Sequence, residues 1–169
     1  QQVYRKRPDS RSDKDQAVVF LFWKESDAAV FLDTSGQPLS RHGYRKRRVE
    51  APLSEALAAA LVSTSGWQAD RPFVNPMCGS GTLAIEAALQ AINRPPGLLR
   101  EQFGFMYLKG YQSELWHRVR EQGRQQVALH KNLSIIATDH DAQAVKVTED
   151  NARRAGVLKY LQVKQAELN

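Results

Sequence analysis

Hydrophobic positions along the chain follow two regimes that meet near residue 50. Before it, "QAVVFLFWKESDAAVFLD" holds two runs of apolar, β-branched and aromatic residues around Lys24-Glu25-Ser26-Asp27, which predicts a β-hairpin. Residues 1–15 are polar and charged without a period and read as a loose arm. "TSGQPLSRHGYRKRRVEAP" carries turn chemistry at Ser35-Gly36 and Gln37-Pro38 and reads as a connector. After Pro52 helical and strand patterns alternate. "PLSEALAAALVSTSG" has proline near its first turn and Gly66 just past its end, so it predicts a helix. "RPFVN" predicts a short buried strand, followed by a helix from about Gly81 to Ile92. "NRPPGLLREQFGFMYLKGY" breaks the rhythm with prolines and glycines. "SELWHRVREQGRQQVALHKN" predicts a helix interrupted at Gly123, and "LSIIATD" a strand. "DAQAVKVTEDNARRAG" predicts a helix capped by Asp141 and stopped by Gly156, and "YLQVKQAEL" a last strand.

Strand, helix, strand, helix, strand is the α/β pattern of a parallel sheet with crossover helices, the first half of a doubly wound fold. Ligands of such sheets bind off the carboxyl ends of the strands. The turn Cys78-Gly79-Ser80-Gly81-Thr82 falls there, as do Asp139 and Glu167. Two glycines remove Cβ atoms where a ligand must approach the main chain, and the next helix offers unpaired N–H groups to an anion. A phosphate loop needs Gly-Lys-Ser/Thr, which is absent here. Ala84 leaves G-x-G-x-x-A, a partial dinucleotide fingerprint. Asp139 is placed to accept ribose hydroxyls, but it lies nearly sixty positions beyond Gly81 rather than about 20. The Pro/Gly-rich segment supplies the insertion this spacing requires. Glu167 could reach an adenine amino group or stand as a surface carboxylate. Cys78 pairs with no base in sequence and reads as a packed thiol. His42, His117, His130 and His140 show no metal-ligand spacing, so no metal is expected.

Charge changes the picture at one end. The chain carries a net +6, and much of the excess sits in "YRKRPDSRSDK" and "RHGYRKRRVE". A concentrated basic segment suits phosphate neutralisation, which makes nucleic acid the leading partner class, although a solvated face has the same composition. One cysteine excludes an internal disulfide framework and fits a reducing, cytoplasmic setting. No apolar run approaches the roughly 20 residues of a membrane span, and no signal peptide opens the chain.

"NPMCGSGTLAIEAA" resembles the Asp-Pro-x-Cys-Gly-Ser-Gly-Thr motif of Rossmann-like, S-adenosylmethionine-dependent RNA methyltransferases associated with THUMP domains. "LDTSGQPLSRHGYR", "APLSEALAAAL", "RPPGLLREQFGFMYLKGY" and "IIATDHDAQAVKVTEDNARRAG" are similar to the bacterial 23S rRNA guanine-N2 methyltransferase group, whose members are often labelled N6-adenine DNA methylases. The resemblance covers residues 17–169 and implies the insertion too. It implies S-adenosylmethionine as cofactor, with the cofactor loop on Asn75, Pro76, Cys78, Gly79, Ser80, Gly81 and Thr82. The ribose-binding acid then falls on Asp139 and the adenine-side acid on Glu167. The family has Asp where this chain has Asn75, which keeps an acceptor oxygen and loses the charge. RNA phosphates are expected on Arg41, Arg45, Lys46, Arg47 and Arg48.

The family's Asn/Asp-Pro-Pro-aromatic motif, which holds the target amino group, has no counterpart here; the single Pro-Pro is Pro95-Pro96 in the insertion. The catalytic residues are therefore expected beyond Asn169, and both ends look cut. The domain expectation is a basic arm, hairpin and connector over 1–50, ending an RNA-binding THUMP region, and the first half of a Rossmann-like methyltransferase domain over 51–169. An exposed sheet edge on "RPFVN" and self-association through it are expected from the same reading. Related tRNA guanine-N2 or N6-adenine enzymes, a non-catalytic RNA-binding module and a nicotinamide-dependent dehydrogenase are the rival functions.

Overall fold

In the computed structural model, residues 17–45, 53–129 and 132–167 are described, and they form two compact units. One holds 17–37 with 102–111, the other 38–101 with 112–167.

In the first unit, β1 (Val18–Lys24) and β2 (Asp27–Asp33) pair antiparallel, with Phe20 opposite Phe31 and Leu21 opposite Val30. The two-residue turn takes Glu25 to φ 54°. β-branched and aromatic side chains favour this pleat, yet Phe20, Leu21, Phe22, Trp23 and Val30 are all exposed on its two faces. At the ribbon's end the Asp33 carboxylate accepts from Ser35 N (2.8 Å) and Gly36 N (3.0 Å). That turn brings Gly104 so close that a Cβ there would lie 2.5 Å from the Asp33 carbonyl oxygen. Phe103 and Phe105 stack with centroids 5.4 Å apart, and Tyr111 meets Phe105 at 6.0 Å with the rings tilted.

The second unit is the α/β part. α1 (Glu55–Thr64) starts where the Ser54 hydroxyl accepts from Leu57 N. β3 (Phe73–Pro76), β4 (Ile135–Asp139) and β5 (Leu161–Gln165) form a parallel sheet in the order β3-β4-β5. Asn75 pairs with Ala137, and Asp139 with Gln165. α2 (Thr82–Ala91) and α4 (Ala142–Ala155) are the crossovers that a parallel pair requires. Ala84, Ala87 and Ala88 make α2 narrow enough to sit buried between its neighbours, and Ile85, Leu89, Ile135, Ala152, Ala155 and Val157 fill the core around it. β3 pairs with β4 alone, so its other edge is unpaired among the described residues, where Val74 is exposed.

α3 (Ser113–Gln125) corrects one expectation. It runs through Gly123 without a break and stops at Gln126, before the end of the apolar pattern. Gly123 packs beside the Leu98 side chain, where a Cβ would come to 3.5 Å, an ordinary contact. The helix costs of one glycine, about 1 kcal/mol, are too small to break thirteen residues.

Candidate ligand site at the strand ends

β3 delivers the chain to a loop whose backbone is set by three left-handed residues: Met77 (φ 57°), Gly79 (57°) and Gly81 (76°). Cys78 N donates to Thr138 O at 2.8 Å, and Gly81 N to Cys78 O at 2.8 Å. α2 then begins on Gly81, which supplies no side-chain cap. Its first amides and the positive end of its dipole are thus presented without an internal anion.

Two polar residues on the buried face of α4 brace this loop from behind. Thr148 donates to Gly79 O (3.0 Å) and lies 3.4 Å from the Cys78 sulfur. Asn151, one turn on, donates to Ser80 O (3.0 Å). Gly81 packs on the same threonine; a Cβ there would stand 2.6 Å from Thr148 Cγ2. Neither Thr148 nor Asn151 was singled out in the sequence. The available signal was their inward spacing with Ala144, Val147, Ala152 and Ala155, which puts polar atoms on an apolar stripe.

Asp139 closes the front. Its Oδ2 accepts from Gly79 N at 2.8 Å, its Oδ1 from Asp141 N at 3.1 Å, and His140 Nδ1 lies 3.4 Å from Oδ1. A carboxylate has about four acceptor positions, so hydroxyl donors can still be received. Ala166 N donates to the Asp139 carbonyl (3.0 Å), which brings exposed Glu167 to the same end of the sheet. Asp141 caps α4 through Gln143 N, as its position suggested.

The remaining loop residues divide by availability. Ser80 and Thr82 hydroxyls are buried and bonded to each other at 3.0 Å. Pro76 is exposed. Asn75 is buried; its Nδ2 reaches Pro76 O at 3.4 Å, and its Oδ1 has no partner. A buried acceptor left without a donor costs about 1–3 kcal/mol, so this oxygen suits a ligand donor. Burial pushes the Cys78 thiol up, which keeps it protonated and matches a packing role. Among the described residues no group of three His, Cys, Asp or Glu side chains is placed to hold a metal.

Of the basic residues, Arg41 is exposed, whereas Arg45 is turned inward, bonded to the Leu53 carbonyl and 3.8 Å from Glu55. Lys46, Arg47 and Arg48 lie outside the described residues. Beside Arg45 is a buried polar group that the sequence reading missed. His42 Nδ1 and the Tyr44 hydroxyl both meet Glu86 Oε1 at 2.8 Å, and His42 N donates to Glu55 Oε2 at 2.6 Å. Glu86 inside the apolar run "LAIEAAL" was the visible signal, since a lone carboxylate there must find a partner.

Residues 42–169 match the family described as UPF0020, RMKL-like, methyltransferase domain. The chain belongs to this family. Two curated relatives are named ribosomal RNA large subunit methyltransferase K/L. That of Buchnera aphidicola is 36% identical over 174 residues, covering 100% of this chain and 25% of the relative. That of Vibrio campbellii is 38% identical over 154 residues, covering 89% and 22%. The chain thus spans about a quarter of the length of the curated relatives it matches. Among solved structures, SMU.472, described as a candidate methyltransferase complexed with SAH, superposes with a TM-score of 0.80 at 36% identity, covering 95% of this chain and 42% of that one. The RMKL-like family accounts for the parallel sheet and for the crossover order seen here. Among the described residues no helix is long and apolar enough to cross a membrane.

Proposed function

We propose that this chain is the cofactor-binding part of an S-adenosylmethionine-dependent RNA methyltransferase acting on guanine N2 of large-subunit ribosomal RNA, and so works in the cytoplasm. The observation that carries the reading is the bare, uncapped start of α2 facing a buried acid, Asp139, with an unpartnered buried oxygen on Asn75 beside the same loop. Those groups fit the cofactor: Asn75 Oδ1 accepts from an ammonium, the α2 amides face a carboxylate, and Asp139 accepts ribose hydroxyls. Gly79 and Gly81 leave the main chain open to close approach, and Glu167 accepts from the adenine amino group. Cys78, Ser80 and Thr82 hold the loop from within, and Pro76 ends the strand. Bound there, the cofactor supplies an electrophilic sulfonium methyl. The chain's own residues bind and orient it. Exposed Arg41, with Lys46, Arg47 and Arg48, contacts phosphates, while Arg45 anchors the segment.

Calorimetric titration of the full-length parent with S-adenosylmethionine, NAD and a 23S rRNA transcript tests the reading. Binding of the first and third with no response to NAD is expected, followed by methyl transfer to guanine. Preference for tRNA, or transfer to adenine N6, would replace the substrate; RNA binding without S-adenosylmethionine binding would leave a non-catalytic RNA module.

A further inference from the structure

Along the connector Arg41 is exposed, whereas His42 and Tyr44 are buried. The two inward residues converge on one carboxylate oxygen, Oε1 of Glu86, each at 2.8 Å. Glu86 is 2% exposed and sits in the second turn of α2, the helix that opens on Gly81. Between them Gly43 takes φ 102° and packs on the chain at 99–100, where a Cβ would lie 3.2 Å from Leu99 O. Such an arrangement joins the segment that carries exposed Arg41 to the helix that opens on the ligand loop. We propose that Glu86 is a positioning residue that fastens the connector to α2 through the His42 imidazolium and the Tyr44 hydroxyl, so that Arg41 and the ligand loop are held in one register.

The charges favour that form of the histidine. Glu86 from α2, Glu55 from α1, and Tyr44 and Arg45 from the connector are the titratable and charged groups facing His42. In this cluster, among the described residues, the Glu55 carboxylate lies 3.8 Å from Arg45, and an imidazolium at His42 balances Glu86. The hydrogen bond to Glu86 raises the His42 pKa above 6.5; burial opposes it, and the charges of Glu86 and Glu55 add to the rise. Tyr44 remains a neutral donor, because burial and Glu86 push its phenol far up. As His42 loses its proton, Glu86 keeps the tyrosine and loses its ionic partner.

The RNA consequence rests on the reading of Arg41 and its neighbours as phosphate contacts; the fastening itself does not. Hydrogen-exchange protection of amides 42–45 in the full-length protein, measured from pH 6 to 9, reads the fastening directly. Protection is expected to fall as pH rises and His42 deprotonates through its raised pKa. His42→Gln, which cannot titrate, should remove that pH dependence. Tyr44→Phe should lower protection at every pH while keeping the slope. Flat protection in the wild type, or an unchanged slope in His42→Gln, would overturn the proposal. In parallel, affinity for a 23S rRNA transcript should fall with protection in the wild type and stay level in His42→Gln. RNA affinity that ignores pH while protection changes would refute the transmission to RNA. Absence of RNA binding at every pH would instead refute the proposed function, with the exchange data still deciding the fastening.

Discussion

Two buried polar networks flank α2, and they are made of different material. The one at its start is built from backbone groups and neutral side chains: Thr148 and Asn151 hold the carbonyls of Gly79 and Ser80, and Cys78 is a protonated thiol. Its single charge, Asp139, is tied to two backbone amides. The one along its flank is built from formal charges, Glu86, Glu55, Arg45 and His42, at 2–11% side-chain or residue exposure. A neutral network fixes shape regardless of pH. A charged one fixes shape only while its charges balance.

The largest expected effect strikes the charged side. Glu86→Ala leaves an imidazolium and a phenol without their acceptor, and the loss of about 3–5 kcal/mol in denaturant unfolding would exceed any single change in the neutral network. A loss under 1 kcal/mol would place water, not protein, around Glu86. Gly81→Val comes next, at about 2–5 kcal/mol, because φ 76° disfavours a branched residue and its Cβ would collide with Thr148. The same variant should abolish S-adenosylmethionine binding; the double variant with Thr148→Ser should recover some stability by easing the contact. Thr148→Val, which keeps the shape and removes the hydroxyl, should cost about 1–2 kcal/mol with no change in pH dependence. Asp141→Ala should cost about 1 kcal/mol as a lost helix cap, whereas Asp139→Ala should weaken cofactor binding instead. Exchange of those two phenotypes would move the ribose acid by one turn.

The pH profile sharpens the same contrast. The folded pKa of His42 lies above 6.5, so its contribution is fully present below about that pH and is lost as pH rises through the folded value. Thermal unfolding of the wild type should therefore decline on the alkaline side, and His42→Gln should flatten that limb. Thr148→Val should retain the decline.

What the sequence made legible follows from the range over which each feature is decided. Strands β3, β4 and β5, the cap Asp141 and the stop at Gly156 are set by neighbours within a few residues, and each lies where the pattern put it. The glycine turn was legible for the same reason, since Gly79 and Gly81 answer a local demand for positive φ. Gly123 misled because one helical glycine costs only about 1 kcal/mol, too little to interrupt the 13 residues of α3. Glu86 and Thr148 were missed on the same ground: their partners, His42, Tyr44 and Gly79, are 42 to 69 positions distant. Arg45 reads as one cation among several in "RHGYRKRR", yet the fold turns it toward Glu55.

The hydrogen bond from Gly79 to Asp139 bears on what affinity would measure. Before any ligand arrives, the acid already holds the loop in the conformation that exposes the start of α2. Much of the ordering entropy of that loop is therefore spent during folding rather than at association, which favours tighter binding from fewer contacts. Removing the Asp139 carboxylate would take away two things at once, the proposed ligand contact and the brace on the loop. A slower association rate would report the second and a faster dissociation rate the first, so the kinetics of Asp139→Ala would separate them where an equilibrium constant could not.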